Sequence, residues 1–178
     1  PPTGRVVRFL GVNAQVAGLA RVGPIHGQAE SITRMLKDRR TAVHVVTLLE
    51  EMPVQETIDG VAELREHGLP VGGLFVNMTR PPLLDDAELA MARTGTLPTK
   101  SISAALARAG LGAHAEQIVP ALLAEASDHA QRVALEQREM TNIDALDLPT
   151  FVLPALANGV DLGGLYELAQ LLADGGVR

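Results

Sequence analysis

The run Thr41-Ala42-Val43-His44-Val45-Val46-Thr47-Leu48-Leu49 decides the fold. It is β-branched, almost continuously apolar, and bounded by Arg39-Arg40 before it and Glu50-Glu51 after it. Such runs suit strands buried on both faces of a parallel sheet. A second run, Val71-Gly72-Gly73-Leu74-Phe75-Val76-Asn77-Met78, stops at Thr79-Arg80-Pro81-Pro82. Between the two, Val54, Ile58, Val61 and Leu64 recur at helical spacing, which predicts a helix over Val54–His67. Pro53 stands where a first helical position tolerates proline, and Gly68 where a C-cap favours glycine. Strand, helix and strand at this spacing make a right-handed βαβ crossover.

Outward from that unit, Thr150-Phe151-Val152-Leu153 reads as a third strand ending at Pro154. A closing helix follows from about Leu162, with Asp161 as N-cap and Leu162, Leu165, Leu168 and Leu172 facing inward. Upstream, Glu30–Arg40 carries Ile32, Met35 and Leu36 at helix spacing. The long Ala- and Leu-rich stretch Asp85–Met140 is helical, broken at Gly95, Pro98, Gly110 and Gly112. Within it, Ile118, Leu122, Leu123, Ala126 and Val133 give an amphipathic stripe, with Pro120 a candidate kink. The fold class is α/β, with a helical block inserted between the second and third strands.

A chain of 178 residues carries a prior of one domain, and 47% hydrophobic with 20% charged residues is a globular composition. The net charge of -6 argues against tracking a phosphate backbone, and 2% aromatics leave no platform for stacking bases. Zero cysteines exclude disulfides, thiolate zinc sites and cysteine nucleophiles. No apolar run reaches the length of a bilayer span and no signal-peptide pattern opens the chain, so the expected location is cytoplasmic.

In open parallel sheets, ligands bind beyond the carboxyl ends of the strands. Those ends carry Glu50-Glu51, Asn77 and Pro154. An Asn there can offer its amide to a purine edge, and a Glu can accept from a ribose hydroxyl. The same residues also read as a turn cap before Pro81 and as solvated carboxylates. No G-x-x-x-x-G-K-[ST] phosphate loop is present, and the two lysines, Lys37 and Lys100, lack preceding glycines. G-x-G-x-x-G is absent as well, which disfavours a nicotinamide-dependent enzyme. Gly72-Gly73 and Gly163-Gly164 read as close helix–sheet packing or tight turns. No metal site is expected: His26 with Glu30, and Glu125 with His129, are isolated i,i+4 pairs of the surface kind, and His44 is a core or inter-strand histidine. Asp85-Asp86 reads as a helix N-cap. No serine sits in a nucleophile elbow.

The chain opens Pro1-Pro2-Thr3-Gly4-Arg5 in what reads as a loop, and three strands are few for so many apolar-faced helices. Both features create the expectation of an N-terminal half beyond this sequence.

Four segments in this order resemble the anion-transporting ATPase family, which includes arsenite-pump ATPases and ATPases that target tail-anchored membrane proteins, in its actinobacterial form. They are Pro2-Thr3-Gly4-Arg5, the run from Val46-Thr47-Leu48-Leu49-Glu50-Glu51 through Thr57, Phe75-Val76-Asn77, and Leu153-Pro154 with Gly159 through Tyr166. The resemblance implies the C-terminal part of a parallel-sheet P-loop NTPase of the deviant-Walker branch with an inserted helical subdomain. Residues 1–82 would hold switch II, helices and two core strands, 83–147 the helical subdomain, and 148–178 the last strand and helix. It implies that Thr3 and Gly4 belong to switch II, with the catalytic aspartate and Walker A upstream. Asn77 would contact adenine, Glu50 would contact nucleotide, and Pro154 would sit in the loop over the base.

The cofactors implied are ATP and Mg²⁺, with the Mg²⁺ ligands in the N-terminal half. The implied assembly is a homodimer, or a heterodimer with a paralogous subunit, that closes on ATP and reopens on hydrolysis. An apolar transmembrane-segment client or membrane partner, and a place at the membrane periphery, come with the resemblance; nucleic acid does not. The chain alone is then inactive. The stripe over Ile118–Val133 and the segment Val12–Leu19 fit either a client groove or ordinary core and interface. The zinc-binding C-x-x-C pair and the metalloid-binding cysteines of some members have no counterpart here. A non-catalytic scaffold or binding subunit sharing the fold is the alternative.

Overall fold

The computed structural model describes residues 10, 12, 23–156 and 159–177. In chain order these form α1 (Pro24–Leu36), β1 (Val43–Thr47), α2 (Glu51–Glu66), β2 (Val71–Thr79), α3 (Asp86–Thr94) and α4 (Thr99–Arg108). A 3₁₀ turn (Gly112–His114), α5 (Ala115–Asp144), β3 (Thr150–Pro154) and α6 (Leu162–Asp174) follow. The chain divides into two compact units, one of residues Pro81–Arg138 and one formed by the residues on either side of it.

Among the described residues the sheet unit holds three parallel strands in the order β1-β2-β3, so β2 is the middle one of these. Alternation along the strands puts Val45, Thr47, Leu74 and Val76 on one face. That face is covered: Val54 and Val61 of α2, with Ile143 at the end of α5, form a core with Leu74 and Val76 in which none of the five is more than 1% exposed. The opposite face carries His44, Phe75 and Phe151 as a row of rings across the strands. His44 meets Phe75 edge-on at 5.4 Å and Phe75 stacks on Phe151 at 5.1 Å. His44 is therefore an inter-strand residue. Val46, on that same face, is 65% exposed.

Gly72 and Gly73 differ from expectation. They serve strand–strand approach, not helix–sheet packing. A Cβ on Gly72 would lie 2.7 Å from the His44 ring and 2.8 Å from the Ala42 Cβ, and one on Gly73 would lie 2.9 Å from the Pro149 carbonyl oxygen. Gly163 and Gly164 fall in the first turn of α6, where the Gly164 N–H donates to Asp161 Oδ1 at 2.7 Å.

Helix α2 begins three residues before the expected start, with Glu50 at the N-cap and Pro53 in the first turn. Proline is tolerated there because the first N–H groups of a helix have no intrahelical acceptor. At its other end Gly68 adopts φ +67°. The Leu69 N–H reaches the Leu64 carbonyl at 2.9 Å and the Gly68 N–H reaches that of Arg65 at 3.0 Å. This paired closure needs a left-handed residue, and Leu64 packs with Leu69 behind it. Gly68→Ala should cost about 1 kcal/mol, purely conformational because a Cβ there meets nothing closer than 3.5 Å. A urea midpoint unchanged from wild type would refute this.

Helix α1 starts at Pro24, behind Gly23, and ends at Leu36, not at Arg40. The chain turns out of it because Asp38 accepts from the Arg40 backbone at 2.9 Å and its side chain at 2.8 Å, while the Thr41 hydroxyl bonds the Met35 carbonyl at 2.6 Å. The Arg40 guanidinium holds the Asp38 carboxyl below its usual pKa. In α6 the Asp161 cap forms as expected, but Leu162 and Leu165 are 69% and 52% exposed, and only Leu168 and Leu172 are half-buried.

In the unit of Pro81–Arg138, Asp85 and Glu88 make a reciprocal capping box at the start of α3, and Gly95 closes it at φ +67°. Leu89 and Ala92 pack against Ala130 and Val133. The inward stripe of α5 runs through Val119, Ala130 and Val133, and Leu122 is 40% exposed. The part from Ala126 to Val133 is thus core of this unit. The last residues of α5, Glu139–Asp144, belong with the sheet unit, where Ile143 is fully buried. Among the described residues, no helix is long and apolar enough to cross a membrane.

Candidate functional site

The strands are parallel, so their carboxyl ends lie at one end of the sheet, and three of the sequence-predicted site residues stand there. Glu50 follows β1 and caps α2 with an extended backbone; its carbonyl accepts from Val54 N–H at 3.0 Å, and its exposed side chain makes no capping bond. The carboxylate is therefore available to a ligand hydroxyl. Thr47, three residues earlier, pairs with Val76, so Glu50 leaves the sheet beside the end of β2.

Asn77 lies on β2 and is half-buried. Its Oδ1 accepts from the Met78 backbone N–H at 3.0 Å. A backbone N–H needs an acceptor, so this contact fixes which end of the amide is oxygen. The amide nitrogen has no protein partner among the described residues and keeps two donors for a ligand. Met78 has φ +58°, left-handed for a residue that is not glycine. The sequence offered no sign of this, since neither Gly nor Asn marks the position.

The β2–β3 register explains the conformation. Val76 pairs with Val152 and Thr79 with Pro154, so Asn77 and Met78 together face Leu153 alone. Two residues opposite one is a β-bulge, a device that re-aims side chains at strand ends. Beyond the bulge the ladder closes again: the Ala155 N–H donates to the Thr79 carbonyl at 2.8 Å and the Thr79 hydroxyl to the Leu153 carbonyl at 3.3 Å. Those bonds hold Pro154 beside the end of β2. The loop after Pro154 returns to α6, where Leu156 sits so near Gly164 that a Cβ there would approach it to 2.6 Å.

Glu50, Asn77 and Pro154 are thus brought to one end of the sheet by three adjacent strands. Thr3 and Gly4 lie outside the described residues, as does most of Val12–Leu19. Elsewhere, His26 Nε2 lies 3.4 Å from Glu30, and His129 Nε2 accepts from the Leu83 N–H at 3.1 Å. Among the described residues, no three His, Asp or Glu side chains gather as a metal site.

The structure defines an α/β protein with a three-stranded parallel sheet and polar side chains at the carboxyl ends of its strands. No family model matches the chain. It is 42% identical over all 178 residues to "ATPase BagA" of Mycobacterium tuberculosis (strain ATCC 25618 / H37Rv) and to "Putative ATPase Mb3704" of Mycobacterium bovis. The chain spans 52% of the length of each of these curated relatives.

Proposed function

We propose that this chain is the base-recognising part of a deviant-Walker P-loop NTPase that hydrolyses ATP as a dimer of identical or paralogous subunits. The observation that carries the reading is Asn77, an amide with two unclaimed donors at the carboxyl end of the middle strand of a parallel sheet. The ATPase names of the full-length relatives support it. Adenine fits these residues, because it presents ring-nitrogen acceptors beside an amino donor. Glu50 accepts from the ribose hydroxyls, and Pro154 and its loop lie against the base. Thr3-Gly4, in this reading, senses the γ-phosphate.

The triphosphate and Mg²⁺ do not fit the residues present, since the sequence has no phosphate loop and the described residues no cluster of metal ligands. No hydrolytic step is assigned to this chain. The outer edge of β1, which carries no proline along Val43–Thr47, is where further sheet would pair. β3, by contrast, is bracketed by Pro149 and Pro154. The helical unit, with Leu111 and Leu122 exposed, takes the client-facing role at the membrane periphery, an apolar transmembrane segment or membrane partner being what it handles.

Titrating the ¹⁵N-labelled chain with AMP tests the reading. Saturable shifts are expected at the Asn77 side-chain amide and around Glu50 and Ala155, with weak affinity because phosphate contacts are missing. Asn77→Ala should weaken binding about tenfold, the worth of one or two neutral hydrogen bonds. No saturable shift in the wild-type chain, or equal affinity in the variant, would sink it.

A further inference from the structure

We propose that Arg34, Lys37 and Arg39 form a second binding site, for the phosphate group of a soluble phosphate ester, at the amino end of the sheet. Four of the fifteen Lys and Arg residues fall within residues 34–40 of a chain whose net charge is -6. They stand at the close of α1 and in the turn into β1. Arg34, Lys37 and Arg39 line one groove of about 570 Å³ together with Glu30, Thr33 and Asp38. Lys37 also reaches the turn between α2 and β2, where a Cβ on Gly68 would lie 3.5 Å from its ammonium nitrogen. The groove thus lies where the chain enters β1 and β2. Glu50, Asn77 and Pro154 stand at the other end of the parallel strands.

The three cations are not committed within the protein. Asp38 is engaged by Arg40, which donates to it from its backbone at 2.9 Å and its guanidinium at 2.8 and 3.3 Å. Glu30 faces His26 at 3.4 Å. Among the described residues, Arg34, Lys37 and Arg39 have no ion-pair partner and no hydrogen-bond acceptor, and all three are exposed. Basic side chains near a helix C-terminus commonly serve its unpaired carbonyls. Here two of those carbonyls are served by other groups. The Thr33 carbonyl accepts from the Lys37 N–H at 3.1 Å, and that of Met35 from the Asp38 N–H at 3.2 Å and the Thr41 hydroxyl at 2.6 Å. Like charges lining one groove repel one another, and an anion between them relieves that repulsion.

Phosphate suits the set. The end of a phosphate monoester offers three oxygens, enough for two guanidinium forks and an ammonium, where a carboxylate offers two. The groove exceeds the size of a lone phosphate and lies in the range of small-molecule sites, so the phosphate is the end of a larger ligand. A lipid bilayer fits less well. Ile25 and Ile32, the exposed aliphatic residues of α1, are nine and two positions from Arg34 and so lie on the opposite side of the helix.

The test is titration of the ¹⁵N-labelled chain with inorganic pyrophosphate. Saturable shifts are expected at the amides of residues 34–40, with the Asn77 side chain unmoved, and the affinity should fall as salt rises. Acetate at the same ionic strength should give no saturable shift. Arg34→Gln, Lys37→Gln and Arg39→Gln, at exposed positions, should each weaken binding about two- to fivefold, and the triple variant should abolish it. Arg108→Gln, in the helical unit, should change nothing. No saturable shift, equal affinity in the triple variant, or acetate bound as tightly as pyrophosphate each overturns the proposal. So does attachment to phosphatidic-acid vesicles without a pyrophosphate response, which would give these cations to a membrane surface. None of these results bears on AMP binding at Asn77, so the two sites stand or fall separately.

Discussion

Leu74→Ala should remove about 2–5 kcal/mol of folding stability, read as a lower urea midpoint with an unchanged slope. Leu74 is fully buried on the middle strand and shares its core with Val54, Val61, Val76 and Ile143. Truncation loses the transfer energy of the side chain and leaves a cavity in a layer whose walls are a strand on one side and helices on the other. Neither wall collapses easily. Native domains are stable by only about 5–15 kcal/mol in total, so one such change is a large fraction. Val46→Ala is the matched control. It removes an aliphatic side chain from the neighbouring strand, but at 65% exposure it should cost less than about 0.5 kcal/mol. Equal losses at the two positions would refute the difference in burial between the two faces, and a larger loss at Val46 would reverse them.

Gly73→Val is expected to be comparably damaging, by about 3 kcal/mol, through overpacking. A Cβ at residue 73 would meet the Pro149 carbonyl oxygen at 2.9 Å and Phe151 at 3.3 Å. The first of these is backbone, which cannot swing aside as a side chain can. It also accepts from the Leu74 N–H at 2.8 Å, so relieving the clash breaks the first bond of the β2–β3 ladder. The change should reach the candidate site as well. The β2–β3 register sets the bulge at Asn77 and Met78 and holds Pro154 beside it. A Gly73→Val chain that still folds should therefore bind AMP more weakly than wild type, although residue 73 is four positions from Asn77. Thermal unfolding and AMP titration of the same sample check both halves, and wild-type behaviour in both would refute the packing argument.

Much of the architecture was legible in the residues because local chemistry and tertiary need agree there. β1 and β2 sit within the two apolar runs read as strands, Asp85 and Asp161 cap helices as short acidic side chains do, and Gly68 closes α2 where only a residue comfortable at positive φ fits. The breaks at Gly95, Pro98, Gly110 and Gly112 divide the long helical stretch as read. The misreadings share a cause. Leu162 and Leu165 of α6, and Ile32 and Met35 of α1, have helical spacing but are exposed. Periodicity identifies an apolar face and does not say whether anything covers it. On α5 the buried positions include Val119, Ala130 and Val133, not Leu122, and Ala130 and Val133 are the two that pack against Leu89 and Ala92 of α3.

The candidate site divides the same way. The amino-acid order alone placed Asn77 and Glu50 at strand ends, since a polar residue closing an apolar run has nowhere else to go in a parallel sheet. It also showed that these 178 residues contain neither a phosphate-loop motif nor a cysteine. The tertiary structure alone decided that Asn77 and Met78 share one position of the ladder, that Met78 turns left-handed, and that the Asn77 oxygen is claimed by the backbone. Those facts depend on where β3 pairs, more than 70 positions further along the chain. A pairing register over that distance leaves no local trace at a methionine, because the force that bends the backbone there comes from hydrogen bonds made by another strand.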